Sequence, residues 1–165
     1  MSAPRHGEIL TQRFDAASLT ATARSATRTP LRRAGPVTEL VIVGVYACLF
    51  ERPLLPTAVL WGSAAGAGEA GLRVVADVVL NREPPYPFDF LATQPNLAAI
   101  HVRQAFDCVG NVVHQPIAVN AALHWRRMES LAAAWLRAGR CERVVIGQVE
   151  ADGEENVGRW RVVEM

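Results

Sequence analysis

Between Pro116 and Ala151 the hydrophobic period of the chain changes twice. Ile117 to Ala121 is a short apolar run with β-branched members, which predicts a buried strand. From Leu123 onward, Trp125, Met128, Leu131, Ala132, Trp135 and Leu136 recur at helical spacing, while Arg126, Glu129, Ser130 and Arg137 fall opposite. Gly139 follows the last turn, where a left-handed C-cap favours glycine. Val144, Val145 and Ile146 then form a second buried run. A strand, a helix over 123–138 and a parallel strand make a crossover unit, right-handed by default. That unit places the chain in the α/β class, with a mixed sheet of about four or five strands.

At 165 residues there is room for one domain with a sizeable core, and half of the residues are hydrophobic. The net charge of +1 gives no pull toward nucleic acid or an anionic membrane. Lysine is absent, so every fixed cation is an arginine. Cys48, Cys108 and Cys141 are scattered and make no metal-ligand spacing, so no metal and no cofactor is expected. Reduced buried thiols, no signal-peptide pattern and no apolar run of the ~18 residues that span a membrane together predict a cytoplasmic protein.

Residues 1–33 are rich in Ala, Thr, Ser and Arg with little periodicity, and read as a flexible arm before a domain at 34–165. Leu40 to Phe50 is apolar throughout. Its Val and Ile favour a strand, whereas Thr38 before Glu39 signals a helix start. Gly71 to Leu80 reads as a helix with Leu72, Val75, Ala76 and Val79 on one stripe; Val74 and Val78 lie off it and call for a second neighbour. Pro84, Pro85 and Pro87 end it. A further helix starts near Thr93, with Ala98, Val102, Ala105, Phe106 and Val109 as its stripe, and Gly110-Asn111 reads as its stop. Asp152 to Glu155 is an acidic turn, and residues 160–164 a last strand.

Several motifs point to a resemblance. Val119-Asn120-Ala121-Ala122 reads as a strand end, Arg137-Ala138-Gly139-Arg140-Cys141-Glu142 as a helix end, and Gly147-Gln148-Val149 as a small-residue strand end. Leu31-Arg32-Arg33, Leu54 to Trp61 and Gly62 to Glu69 add a basic turn, a strand and a glycine-rich turn. In this order they resemble the first half of the β-ketoacyl synthases, condensing enzymes of fatty acid and polyketide synthesis with the thiolase fold. The resemblance implies a helix at 38–50, a central strand at 57–62, and a strand leading to the nucleophile that pairs two protomers edge to edge. It also implies a catalytic cysteine at the start of the crossover helix, and Ala122 stands there, with Ala121 and Leu123 beside it. The second half, which supplies that family's two catalytic histidines, has no counterpart in this chain. The expectation is therefore a non-catalytic accessory protein of the chain-length-factor kind. Its partner would be a second copy or a full-length ketosynthase, with acyl carrier protein as a further candidate.

The residues permit one other reading. His114 and His124 flank the strand–helix turn, and with Asn96 and Asn120 they outline a candidate ligand pocket near Ala122, suited to an acyl-thioester-binding or hydrolytic enzyme. Ser63 lies outside a GxSxG elbow. Gly62, Gly66, Gly68 and Gly71 fit neither a dinucleotide fingerprint nor a phosphate loop.

Overall fold

The computed structural model describes residues 7–28, 30–31, 34–64, 68–85, 93–94, 97–117, 120–151 and 155–164. Its strands are β1 (Leu10–Phe14), β2 (Thr57–Gly62), β3 (Val109–His114), β4 (Arg143–Ala151) and β5 (Asn156–Glu164). Its helices are α1 (Ala16–Ala26), α2 (Gly35–Leu49), α3 (Gly68–Val75, continued by a π-helical turn at Ala76–Asn81), α4 (Leu97–Ala105) and α5 (Ala121–Arg137). The strands form one mixed sheet in the order β1-β5-β4-β2-β3. β2 runs parallel to both β3 and β4, whereas β5 runs antiparallel to β4 and to β1. β3 and β4, joined through α5, thus lie on either side of β2, as a crossover unit requires.

Alternation along the strands sends side chains to two cores. On one face Val59, Trp61, Val145, Val149, Trp160 and Val162 pack beneath α1, α2 and α4. On the other Ala58, Leu60, Val144 and Ile146 pack beneath Met128, Ala132 and Leu136 of α5. β2 is buried on both faces, which explains why its sequence, TAVLWG, is an unbroken run and does not alternate.

The helix expected at 38–50 is α2. Apolar residues surround it, and Leu40 to Val43 are buried on every side, as a core helix requires. Its Gly44 faces the indole of Trp160, where a Cβ would come within 1.9 Å of Cε2. Gly147, opposite Trp160 in the β4–β5 register, and Gly158 leave the same space open. At the far end of the hairpin the guanidinium of Arg143, 1% exposed, donates to the Glu164 carboxylate at 2.5 Å and to the Pro53 carbonyl at 3.0 Å.

Three expectations are corrected. The arm at 1–33 is, over residues 10–26, a strand and a helix: Asp15 caps α1 by accepting from the Ser18 amide at 2.8 Å, and Leu19 and Ala23 are buried against α2. The strand leading into α5 is Val109–His114, not 117–121. Gly110 and Asn111 sit inside that strand, where Val109, Val112 and Val113 supply the β propensity and the exposed edge tolerates the small polar pair. Residues 115–117 and 120 are irregular, while 118 and 119 lie outside the described residues. Finally, among the described residues no other element packs extensively on α3 and its π-turn. Leu72, Val79 and Leu80 are more than 60% exposed.

The packing of Trp160 yields the first prediction. Gly44→Ala or Gly147→Ala forces the indole off its position and lowers stability in urea denaturation by about 1–3 kcal/mol. Gly110→Ala, whose Cβ meets nothing within 4 Å, costs less than half of that.

Candidate functional site

The C-terminal ends of the parallel strands β2, β3 and β4 converge on the first turn of α5. In open α/β sheets this is the position at which ligands and catalytic groups gather. Asn120 is the N-cap, and its side-chain oxygen accepts from the Leu123 amide at 2.9 Å. Ala121, Ala122 and Leu123 follow, all exposed, so no side chain of this turn can attack a thioester.

His124, one residue further on, turns into the protein and is 4% exposed. Its Nε2–H donates to the Gln115 carbonyl at 2.9 Å, and its Nδ1 accepts from the Gln148 side-chain amide at 3.2 Å. The same amide donates to the Ala121 carbonyl at 2.9 Å. Helix α5, strand β4 and the segment after β3 are joined through one imidazole. Gly62 at the end of β2 makes this possible, since a Cβ there would lie 2.3 Å from His124 Cε1 and 2.5 Å from the Gln115 oxygen.

His114 does not join His124. Its ring packs on Trp61, centroids 4.4 Å apart, on the α2–α4 face of the sheet. His124 lies on the α5 face, beside Gly62 and Gln148. The two therefore form no convergent pair. Burial, and then the nearby His124 ring, hold the His114 imidazole below the usual histidine range. Burial does the same for His101 on α4. Asn96, the fourth residue of the expected pocket, lies outside the described residues.

The thiols lie elsewhere. Cys48 is enclosed in the core, and burial pushes its pKa up to about 12. Cys108 and Cys141 border a groove with Leu54, Thr57, Asp107 and Arg140, at the N-terminal ends of the parallel strands and away from the start of α5. Burial raises the Cys141 thiol as well, so the thiolate form is disfavoured there. Among the described residues no cluster of His, Cys, Asp or Glu could hold a metal ion, and no helix is long and apolar enough to cross a membrane.

Sequence reasoning found Asn120, Ala122 and His124 but missed Gln148, which it read only as part of a small-residue strand end. A signal was present: a polar residue amid the run Val144 to Val149 has to meet a buried partner.

Two outcomes are expected of this corner. His124→Ala, which removes a buried ring and leaves the Gln148 amide and Gln115 carbonyl without it, destabilises by about 2–4 kcal/mol in chemical denaturation. The depressed imidazoles of His114 and His101 mean that the unfolded chain binds protons first as pH falls below 6.5. Stability is therefore level above that pH and declines below it, and His114→Gln flattens the decline measured between pH 7.5 and 5.5.

No family model matches the sequence, and no curated protein sequence does. Among solved structures, the chain is similar to a ketosynthase (ApeO) in complex with its chain length factor (ApeC) from Xenorhabdus doucetiae. The TM-score is 0.62 at 15% sequence identity, over 96% of this chain and 78% of that one. At this identity the likeness establishes the fold: a ketosynthase-like, thiolase-type α/β domain.

Proposed function

We propose that this protein is a non-catalytic, ketosynthase-like accessory protein of fatty acid or polyketide-type biosynthesis, acting in the manner of a chain length factor. The observation that carries this reading is the first turn of α5. We read this turn, at the convergence of the parallel strands, as the counterpart of the nucleophile turn of a condensing enzyme, and it carries Asn120, Ala121 and Ala122 with no thiol. A condensing reaction also needs bases near the acyl group. His124 has both ring nitrogens engaged within the protein, and His114 lies on the other face of the sheet. The same two facts weigh against the hydrolytic or acyl-thioester-binding reading.

An accessory role requires pairing, and β3 supports it. Among the described residues this strand ends the sheet, with β2 on one side. Its sequence, VGNVVH, has neither a fixed charge nor a proline to discourage another strand. The opposite edge, β1, carries Arg13. We read β3 as the pairing edge toward a second copy or a full-length ketosynthase, with acyl carrier protein as the source of the acyl group.

Incubation with an acyl thioester followed by intact-mass measurement tests the chemical half of this reading. The expected result is no stoichiometric adduct, whereas one acyl group per chain on any cysteine refutes it. Light scattering tests the pairing half. The expected species is a dimer, alone or after co-expression with a ketosynthase, and Gly110→Lys with Asn111→Lys shifts it toward monomer by placing charge on the edge. A monomer under every condition contradicts the pairing.

A further inference from the structure

At the N-terminal ends of the parallel strands, three helices stop around one cavity of about 490 Å³. Ala26 and Thr27 enter its lining from the end of α1, Leu49 and Phe50 from the end of α2, and Gln104 and Ala105 from the end of α4. The cavity lies beside the groove of Cys108 and Cys141, and Leu54, Asp107 and Cys108 border both. Small-molecule sites have this size and are mostly apolar, with a few polar groups that orient the ligand. Here Phe106 and the pair Tyr46–Phe50, with ring centroids 5.4 Å apart, supply aromatic walls. The protein buries each of these rings only in part.

Two charged side chains enter the lining, Arg28 and Asp107. Both are exposed, and neither forms an ion pair among the described residues. They stand on opposite sides of α2. Arg28 follows α1, on the β1 side of the sheet, and Asp107 follows α4, on the β3 side. At the usual ~9 Å between helix axes, those two sides are roughly two spacings apart. The Asp107 side favours a cation for three reasons. Its carboxylate is unpaired. The C-termini of α2 and α4 bring partial negative charge; the last turn of α2 has no basic residue, and Arg103 of α4 lines a neighbouring depression instead. The faces of aromatic rings attract a cation as well. Arg28 repels a cation from the α1 side, and so sets which way round a ligand lies.

We propose that this cavity binds a small aromatic ammonium ion, with its nitrogen beside Asp107 and its ring against Tyr46, Phe50 and Phe106. A carboxylate is a poorer fit, because it meets Asp107 and three helix C-termini with only Arg28 in its favour. A metal ion is a poorer fit as well, since Asp107 is the one carboxylate of the lining and hard cations need several oxygen ligands. A neutral ring gains the apolar contact without the attraction of charge. The site lies at the opposite end of the sheet from the start of α5, so failure of the accessory-protein reading would leave the inference intact.

The test titrates the intact protein with phenethylamine, which is protonated at neutral pH, and with its neutral and anionic counterparts, phenethyl alcohol and hydrocinnamate. Ligand-observed NMR gives the affinities. Cys108 reports the place: it lines the cavity and is partly exposed, whereas Cys48 and Cys141 are buried, so its alkylation by iodoacetamide can be followed by mass. Phenethylamine is expected to bind and to slow alkylation of Cys108, with the alcohol and the acid roughly tenfold weaker. Asp107→Asn should weaken the amine about fivefold and leave the alcohol unchanged. Arg28→Gln should not weaken the amine. Both positions are exposed, and unfolding curves that coincide with wild type keep the comparison valid. The proposal is overturned if the alcohol or the acid binds as tightly as the amine, if Asp107→Asn leaves the amine unmoved, if Arg28→Gln weakens it, or if phenethylamine does not slow alkylation of Cys108.

Discussion

The indole of Trp160 is the contact on which the sheet and its helical layer depend. It is fully buried in β5, crosses Gly147 of β4, and meets Gly44 of α2. A side chain at either glycine would overlap it. One large ring thus sets how closely α2 approaches the sheet and how β4 and β5 lie side by side, because dense interiors offer no spare volume. The other end of the same hairpin is fixed electrostatically, by Arg143 between Glu164 and the Pro53 carbonyl. Such a buried cation persists only when its donors are met.

At the start of α5 the same logic turns a place suited to chemistry into a structural corner. Gly62 admits His124, His124 bridges Gln115 and Gln148, and Gln148 holds the Ala121 carbonyl. A catalytic histidine needs one nitrogen facing the substrate. Here both face the protein, and the neighbouring alanines offer no nucleophile. The thiolase-type fold is retained, and the interactions at the start of α5 serve packing.

Much of this was legible in the sequence. The period change at Leu123 and the glycine at 139 located α5 within two residues, and the α/β class followed. The resemblance to condensing enzymes decided the conformation of 38–50, where β-branched composition alone argued for a strand; burial on every side stabilises it as a helix. What stayed hidden had physical causes. β3 was missed because Gly110-Asn111 is a turn signal in isolation, and only pairing with β2 makes it a strand. β1 was missed because Leu10 to Phe14 is short, polar on one side, and ordered by β5 rather than by its own propensity. His114 and His124 were grouped because they lie ten positions apart around one turn. The sheet between them was not visible without the register.

The central claim is that His124 is committed to the protein's own hydrogen bonds and takes no part in acyl chemistry. A heteronuclear NMR spectrum of the histidine ring nitrogens, recorded with and without an acyl thioester, tests this directly. The account predicts a single His124 tautomer, protonated at Nε2 and bare at Nδ1, with both nitrogens unmoved by the thioester. A mixture of tautomers, or a His124 nitrogen that shifts as the thioester is added, would contradict it.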